Sequence, residues 1–317
     1  MLNALQSVFS IIMMIALGFT LAKRKWFDAG SSALLSRLVV SVALPAYMIS
    51  NLMSSYDRAK LLAMVPGLPV PFLAMLGSFL VAAGLAVILK VPRGRRGTFA
   101  SMFSLANAVF IGLPVNLLLF GEEALPYALL YYIANTTVFW TLGTYCIASD
   151  GAIRSGRARP SLVSAAGLKR ILSPPLLGFA AAIIMIFAGI KLPKSVMDLA
   201  KYLGNMTTPL SMLFVGIVIS KVDWKHMRFG LDIAFVLVGR FLVTPALIFL
   251  LMRGRDLPLL MKQVFLITSA MPAMTQTPIL AAAYGADTEY AGIGTSLTTV
   301  LSLVTIPVYM GLVSGIF

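Results

Sequence analysis

Charge-free stretches about as long as a bilayer is thick recur along this chain. They run over 3–22, 38–56, 61–89, 97–121, 124–149, 171–190, 202–220, 263–286 and 290–317, and a tenth, 229–252, is apolar apart from Asp232 and Arg240. A helix needs about 20 apolar residues to cross the hydrocarbon core. The windows therefore predict an all-α integral membrane protein with ten transmembrane helices. Composition agrees: 59% of residues are hydrophobic and 11% are charged, against roughly a quarter charged in a soluble domain. The first window does not read as a cleaved signal peptide, because no basic residue precedes it and Lys23, Arg24 and Lys25 follow it.

The net charge of +14 would suggest nucleic acid in a soluble chain. Here the basic residues fall in short loops, and the expected partner is the anionic face of a lipid bilayer, not nucleic acid. The first, third, fifth and seventh loops carry fifteen Lys and Arg, and the ninth none; the alternate loops carry seven. By the positive-inside rule the richer set is cytoplasmic, which puts both termini outside the inner membrane. Cys146 is the only cysteine, so neither a disulfide framework nor a Cys-rich metal site is available.

The longest loop, Gly-, Ser- and Arg-rich, divides the chain into 1–149, a linker at 150–170, and 171–317. An offset of 164 places Pro45 on Pro209, Arg37 on Lys201, Pro114 on Pro278, Gly121 on Gly285 and Glu123 on Asp287. One shift that aligns two separate helix pairs predicts an internal repeat of five helices. An odd number of spans per half makes the second repeat inverted, and inverted repeats with paired interrupted helices mark secondary transporters.

The interruptions lie in "SLANAVFIGLPVNLLLFG" (104–121) and "AMPAMTQTPILAAAYG" (270–285). In the first, Gly112 is expected to close one half-helix and Pro114 to begin another; in the second, Thr277 suits an N-cap and Pro278 the first helical position. Such breaks free backbone groups at membrane depth, which are tolerated only where protein or a wet cavity satisfies them. The N-termini they create attract anions. Asn107, Thr275, Gln276 and Thr277 would add side-chain hydrogen bonds at that level. Together with Gly112, Pro114 and Pro278 they are the expected substrate-binding residues. The alternative for each helix alone is a proline kink with polar residues joining helices.

These segments, with "LSRLVVSVALPAYMIS" (35–50) and "YGADTEYAGIGTSLTTVLSLVTIPVYM" (284–310), resemble the auxin efflux carrier family, which includes bacterial malonate-type permeases and belongs to the bile acid:sodium symporter superfamily. The resemblance covers nearly the whole chain. Its most specific element is an Asn followed at five residues by Gly and at seven by Pro, here Asn107, Gly112 and Pro114. It implies two inverted five-helix repeats in which broken helices 4 and 9 cross, with a substrate carboxylate held at the crossing and Asn107 as the crossing asparagine. In the second half Thr and Gln stand where some members have Asn or Gly, so Gln276 is the looser match. The long central loop of the plant carriers is absent, which points to a bacterial permease.

Four further residues are candidates for gating or coupling. Arg37 lies before Pro45 and reads either as a snorkelling interfacial cation or as a gate. Asp232 and Arg240 share roughly one face of helix 8, and an ionisable residue inside a membrane is a functional hypothesis by default. Asn135, with Thr136 and Thr137, reads equally as cavity lining or as helix packing. His226 sits in a basic loop and reads as solvated. No catalytic constellation and no metal-ligand spacing is present, which argues against an enzyme. The expected function is a secondary transporter for small mono- or dicarboxylates, without cofactor, coupled to Na⁺, to H⁺ or to neither. A sodium-coupled symporter of larger organic anions and a substrate-gated channel or sensor are the alternatives, and a homodimer is the one protein partner left open.

Overall fold

The computed structural model describes residues 2–28, 30–157, 174–220 and 230–316, and among them the secondary structure is helical, with one isolated β-bridge. Helix α1 spans Leu2–Lys23, and α2 covers 31–55. Helix α3 is Arg58–Ile88. The next helix is split into α4a (Arg96–Ser104) and α4b (Leu113–Phe120); α5 covers 125–154, and α6 is Pro174–Ala188. Helices α7 (Lys194–Ser220) and α8 (Leu231–Met252) precede a second split helix, α9a (Leu259–Ser269) and α9b (Gln276–Tyr284), and α10 is Thr288–Ile316. Five of these, the spans in α2, α3, α7, α8 and α10, are long and apolar enough to cross a membrane, and shorter apolar helices lie in α1, α4, α6 and α9. Helix α5 runs to Arg154, so the first residues of the expected linker are helical. The rest of that stretch from 158 on, and His226, lie outside the described residues.

Three of the helices share a local device. A five-residue π-turn occupies Val39–Ala43, Ala108–Gly112 and Gly239–Val243, and in each case a proline stands two residues later, at Pro45, Pro114 and Pro245. Proline lacks the N–H and crowds the carbonyl four residues back. A π-turn widens the helix by one residue just ahead of it and lets the helix continue. Helix α5 has a fourth π-turn, Phe139–Gly143, without proline; there the Thr144 hydroxyl donates to the Phe139 carbonyl at 3.0 Å.

The chain forms two compact units, each drawn from several stretches of sequence. The first comprises Met1–Pro66, Leu113–Tyr127 and Leu172–Lys221. In it α1 lies directly on α7: a Cβ on Gly216 would come within 2.2 Å of the Ile15 carbonyl oxygen, and one on Gly18 within 2.5 Å of that of Leu213. Small residues that bring two backbones together are how apolar helices associate without a hydrophobic driving force. At one end of this unit Asn51 Nδ2 donates to Glu122 at 3.2 Å, the Tyr56 hydroxyl donates to the Glu123 carbonyl at 2.9 Å, and Arg58 donates to the Phe187 carbonyl. The second, fourth and sixth loops, which the charge count assigns to one side, thus meet.

The second unit comprises Gly67–Gly112, Ala128–Ile171 and Val222–Phe317. At one of its ends Asp287 accepts from Arg95 at 2.7 Å and from Arg154 at 3.1 Å, and its other oxygen caps α10 through the Tyr290 N–H at 3.1 Å. Burial works against its charge, but the Tyr290 N–H, Arg95 and Arg154 prevail and hold the carboxyl below its ordinary value. Asp150, buried in α5, accepts from the Gly97 and Thr98 N–H groups at 2.9 and 2.7 Å and from the Thr98 hydroxyl at 2.8 Å. It therefore caps the N-terminus of α4a from another helix. The third, fifth and ninth loops meet here, as their shared assignment requires.

Candidate functional site

Within the second unit the two interrupted helices touch at their breaks. Helix α4a ends at Ser104, Leu105 is extended (φ −109°, ψ 131°), and α9a ends at Ser269. Ala106 and Ala273 form an antiparallel bridge, and the Asn107 N–H donates to the Pro272 carbonyl at 2.7 Å. The breaks are thus displaced from the positions expected from sequence. In the first helix the chain is unwound at 105–107, and Gly112 lies in the π-turn that starts the second half, donating its N–H back to the Asn107 carbonyl at 2.9 Å. Pro114 is buried in α4b, accommodated by that π-turn as Pro45 and Pro245 are. Gly112 serves close packing instead: a Cβ there would stand 3.2 Å from Thr268 and 3.3 Å from Met271 of the crossing partner.

In the second helix the break covers 270–275, ahead of Thr277 and Pro278. Thr275 holds the N-cap position, Thr277 and Pro278 fall inside the first turn of α9b, and Thr275 makes no side-chain cap bond. Pro272 accounts for the shift. It has no N–H to give to a continuing helix, and it drives the residue before it out of the α region. The rule that a residue before proline resists helix was the available signal.

Every exposed backbone group at such a crossing needs a partner. Asn135 of α5 satisfies Ala106 completely: its Oδ1 accepts from the Ala106 N–H at 3.0 Å and its Nδ2 donates to the Ala106 carbonyl at 2.9 Å. Thr298 of α10 accepts from the Ala273 N–H at 3.1 Å. Each break is therefore served by the helix that comes after it in sequence. Asn135, a gating or coupling candidate from sequence, spends its amide on the Ala106 backbone and, through Nδ2, on the Met274 sulfur at 3.8 Å. Nothing in its own segment marked Thr298; an offset of 163 from Asn135 would have found it.

Asn107 caps the second half of its helix, its Oδ1 accepting from the Phe110 N–H at 3.2 Å. Its Nδ2 has no partner although the residue is 2% exposed. The Thr277 hydroxyl is likewise buried and unpartnered, as are those of Ser104 and Thr136. Thr275, Gln276 and Pro278 are half-buried beside Thr277. Asp and Glu are absent from 97–121 and from 263–286, and the described residues contain no group of His, Cys, Asp and Glu able to hold a metal.

The remaining candidates separate. Arg240 is 0% exposed and donates to the Ser269 carbonyl and, at 3.5 Å, to that of Phe103. Asp232 is half-buried in the first turn of α8 and accepts from the Ile233 N–H at 2.9 Å. It lies two turns before Arg240 and forms no ion pair with it: both ion pairs among the described residues centre on Asp287. Arg37 is exposed in the first segment of α2, in the other unit.

Paired interrupted helices that meet at their breaks among apolar helices are an arrangement found in membrane transporters. The model of a family described as membrane transport protein matches residues 3–310. An uncharacterized transporter of Methanocaldococcus jannaschii is 29% identical over 282 residues, covering 87% of this chain and 88% of that one. An uncharacterized transporter of Methanothermobacter thermautotrophicus is 23% identical over 320 residues, covering 97% and 98% respectively. The chain belongs to the membrane transport protein family, the auxin efflux carrier family that its sequence resembles.

Proposed function

We propose that this protein is a secondary transporter of small organic anions, with the anion bound where α4 and α9 meet and exposed to the two sides of the membrane in turn. The observation that carries the reading is the open Nδ2 donor of buried Asn107, set at the start of the π-turn that leads into α4b. A half-helix N-terminus presents unsatisfied N–H groups and a partial positive charge, which suits a carboxylate. The absence of Asp and Glu from both broken segments leaves that field uncancelled. The Thr277 hydroxyl, with Thr275 and Gln276, stands ready at the second half-helix.

The same reading takes the chain as ten spans in two inverted five-helix repeats, over 1–149 and 171–317, in the inner membrane with both termini outside. Support comes from the single offset that aligns the two halves, from the matched breaks each served by the next helix, and from the loop charges. The test is uptake by proteoliposomes of labelled acetate, lactate, malonate and malate, each with and without a sodium gradient and a pH gradient. Saturable uptake of at least one, accelerated by unlabelled anion inside, is expected. Uptake of none, or a non-saturating flux, contradicts a carrier of this class.

A further inference from the structure

Among the helical hydrogen bonds that the two breaks remove, one in each helix bears on Arg240. In an uninterrupted α-helix the N–H of Asn107 would go to the carbonyl of Phe103, and that of Ala273 to the carbonyl of Ser269, each four residues back. Both donors are diverted, Asn107 to Pro272 and Ala273 to Thr298. The two carbonyls left behind are the two that Arg240 takes. Thr244, one turn on in α8, adds a hydroxyl to Phe103 at 3.3 Å and shares a hydrogen bond of 2.7 Å with Ser78 of α3. Tyr131 and Tyr309 also face the guanidinium, and no carboxylate among the described residues pairs with it.

Each helix C-terminus carries about half a negative elementary charge, so two of them together match one guanidinium. Half-helix carbonyl ends and unwound backbone at a transporter midplane are where monovalent cations are ordinarily coordinated. We infer that Arg240 is the fixed cation of this crossing: its guanidinium fills the place between the Phe103 and Ser269 carbonyls that a bound sodium ion would otherwise take. The inference rests on reading the crossing as the transport site. On it, the anion meets a permanent positive charge, and no metal cation is needed to hold the two broken helices together. Arg240 is a positioning residue, acting through the carbonyl ends.

The experiment measures thermal unfolding of the full-length protein and of Arg240→Lys and Arg240→Met in sodium chloride against choline chloride at equal ionic strength, with and without malonate as probe anion. Wild type and Arg240→Lys should show no sodium-specific shift. Arg240→Met should unfold at lower temperature and gain a saturable, sodium-specific rise of roughly 2–4 °C as the ion enters the vacated place. A saturable sodium-specific rise in wild type overturns the inference, and so does a folded Arg240→Met that ignores sodium. Should Arg240→Met fail to fold, Arg240→Lys decides: a folded, sodium-indifferent protein supports the fixed charge, and a sodium-responsive one refutes it. The malonate arm separates the two readings, since sodium indifference without an anion shift would keep the fixed cation and weaken the anion site.

Discussion

Asn107 and Asn135 are both buried amides inside a membrane protein, and the structure uses them in opposite ways. Asn135 closes both hydrogen bonds of one unwound residue, whereas Asn107 closes one bond with its oxygen and leaves its nitrogen open. A residue whose donors and acceptors are all spent inside the protein is part of the frame; one with a donor left over can meet a ligand. Replacing Asn135 by Leu leaves the Ala106 N–H without a partner, at about 1–3 kcal/mol, while the Ala106 carbonyl keeps the Ala108 N–H at 2.9 Å. The expected result is a marked fall in unfolding temperature. Equal stability of Asn135→Leu and wild type would show that Ala106 finds other partners. In the sequence Asn107 stands out through its spacing to Gly112 and Pro114, whereas Asn135 reads equally as cavity lining or as helix packing; which donors each has spent is not written in either segment. Only the geometry of the break shows it.

The interrupted helices are legible in the sequence as a pair but not in their detail. The offset of 164 and the apolar windows locate α4 and α9, while the most conspicuous prolines misplace the break in each. Pro114 and Pro278 look like starts of half-helices, yet π-turn accommodation carries the chain past Pro114, and Pro278 sits inside the first turn of α9b. No proline or glycine marks 105–107. That break exists because Asn107 caps the π-turn after it, while Asn135 and Pro272 satisfy the unwound backbone of Ala106 and Asn107. Asn135 and Pro272 come from distant parts of the chain. Within its own helix, by contrast, Pro272 acts locally. Pro272→Ala should let α9 become helical across part of 270–275, which hydrogen exchange would register as slower exchange of the 273–275 amides, with transport reduced at least tenfold. Unchanged exchange and transport would mean that the Asn107, Thr298 and Arg240 contacts alone hold the break open.

Across the molecule, the alternation of loop charge anticipates which loops meet: the third, fifth and ninth loops group around Asp287 and Asp150, the second and fourth around Glu122 and Glu123, and the second joins the sixth through Arg58 and the Phe187 carbonyl. Asp150 reads in sequence as the first residue of a linker; its role as a cap for α4a depends on α5 continuing to Arg154. The buried charge of Arg240 is legible as an intramembrane cation, while its two carbonyl partners lie 137 and 29 residues away and no local pattern names them. On the proposed function, the crossing binds the transported anion through Asn107. The most direct test is the affinity of purified wild type and Asn107→Ala for the anion that wild type transports, with unfolding temperature recorded alongside. Losing a hydrogen bond to a charged group costs about 1.5–3 kcal/mol, roughly ten- to hundredfold in Kd. A loss of that size in a protein that still folds is the expected result; an Asn107→Ala variant that folds and binds the anion as tightly as wild type would contradict it.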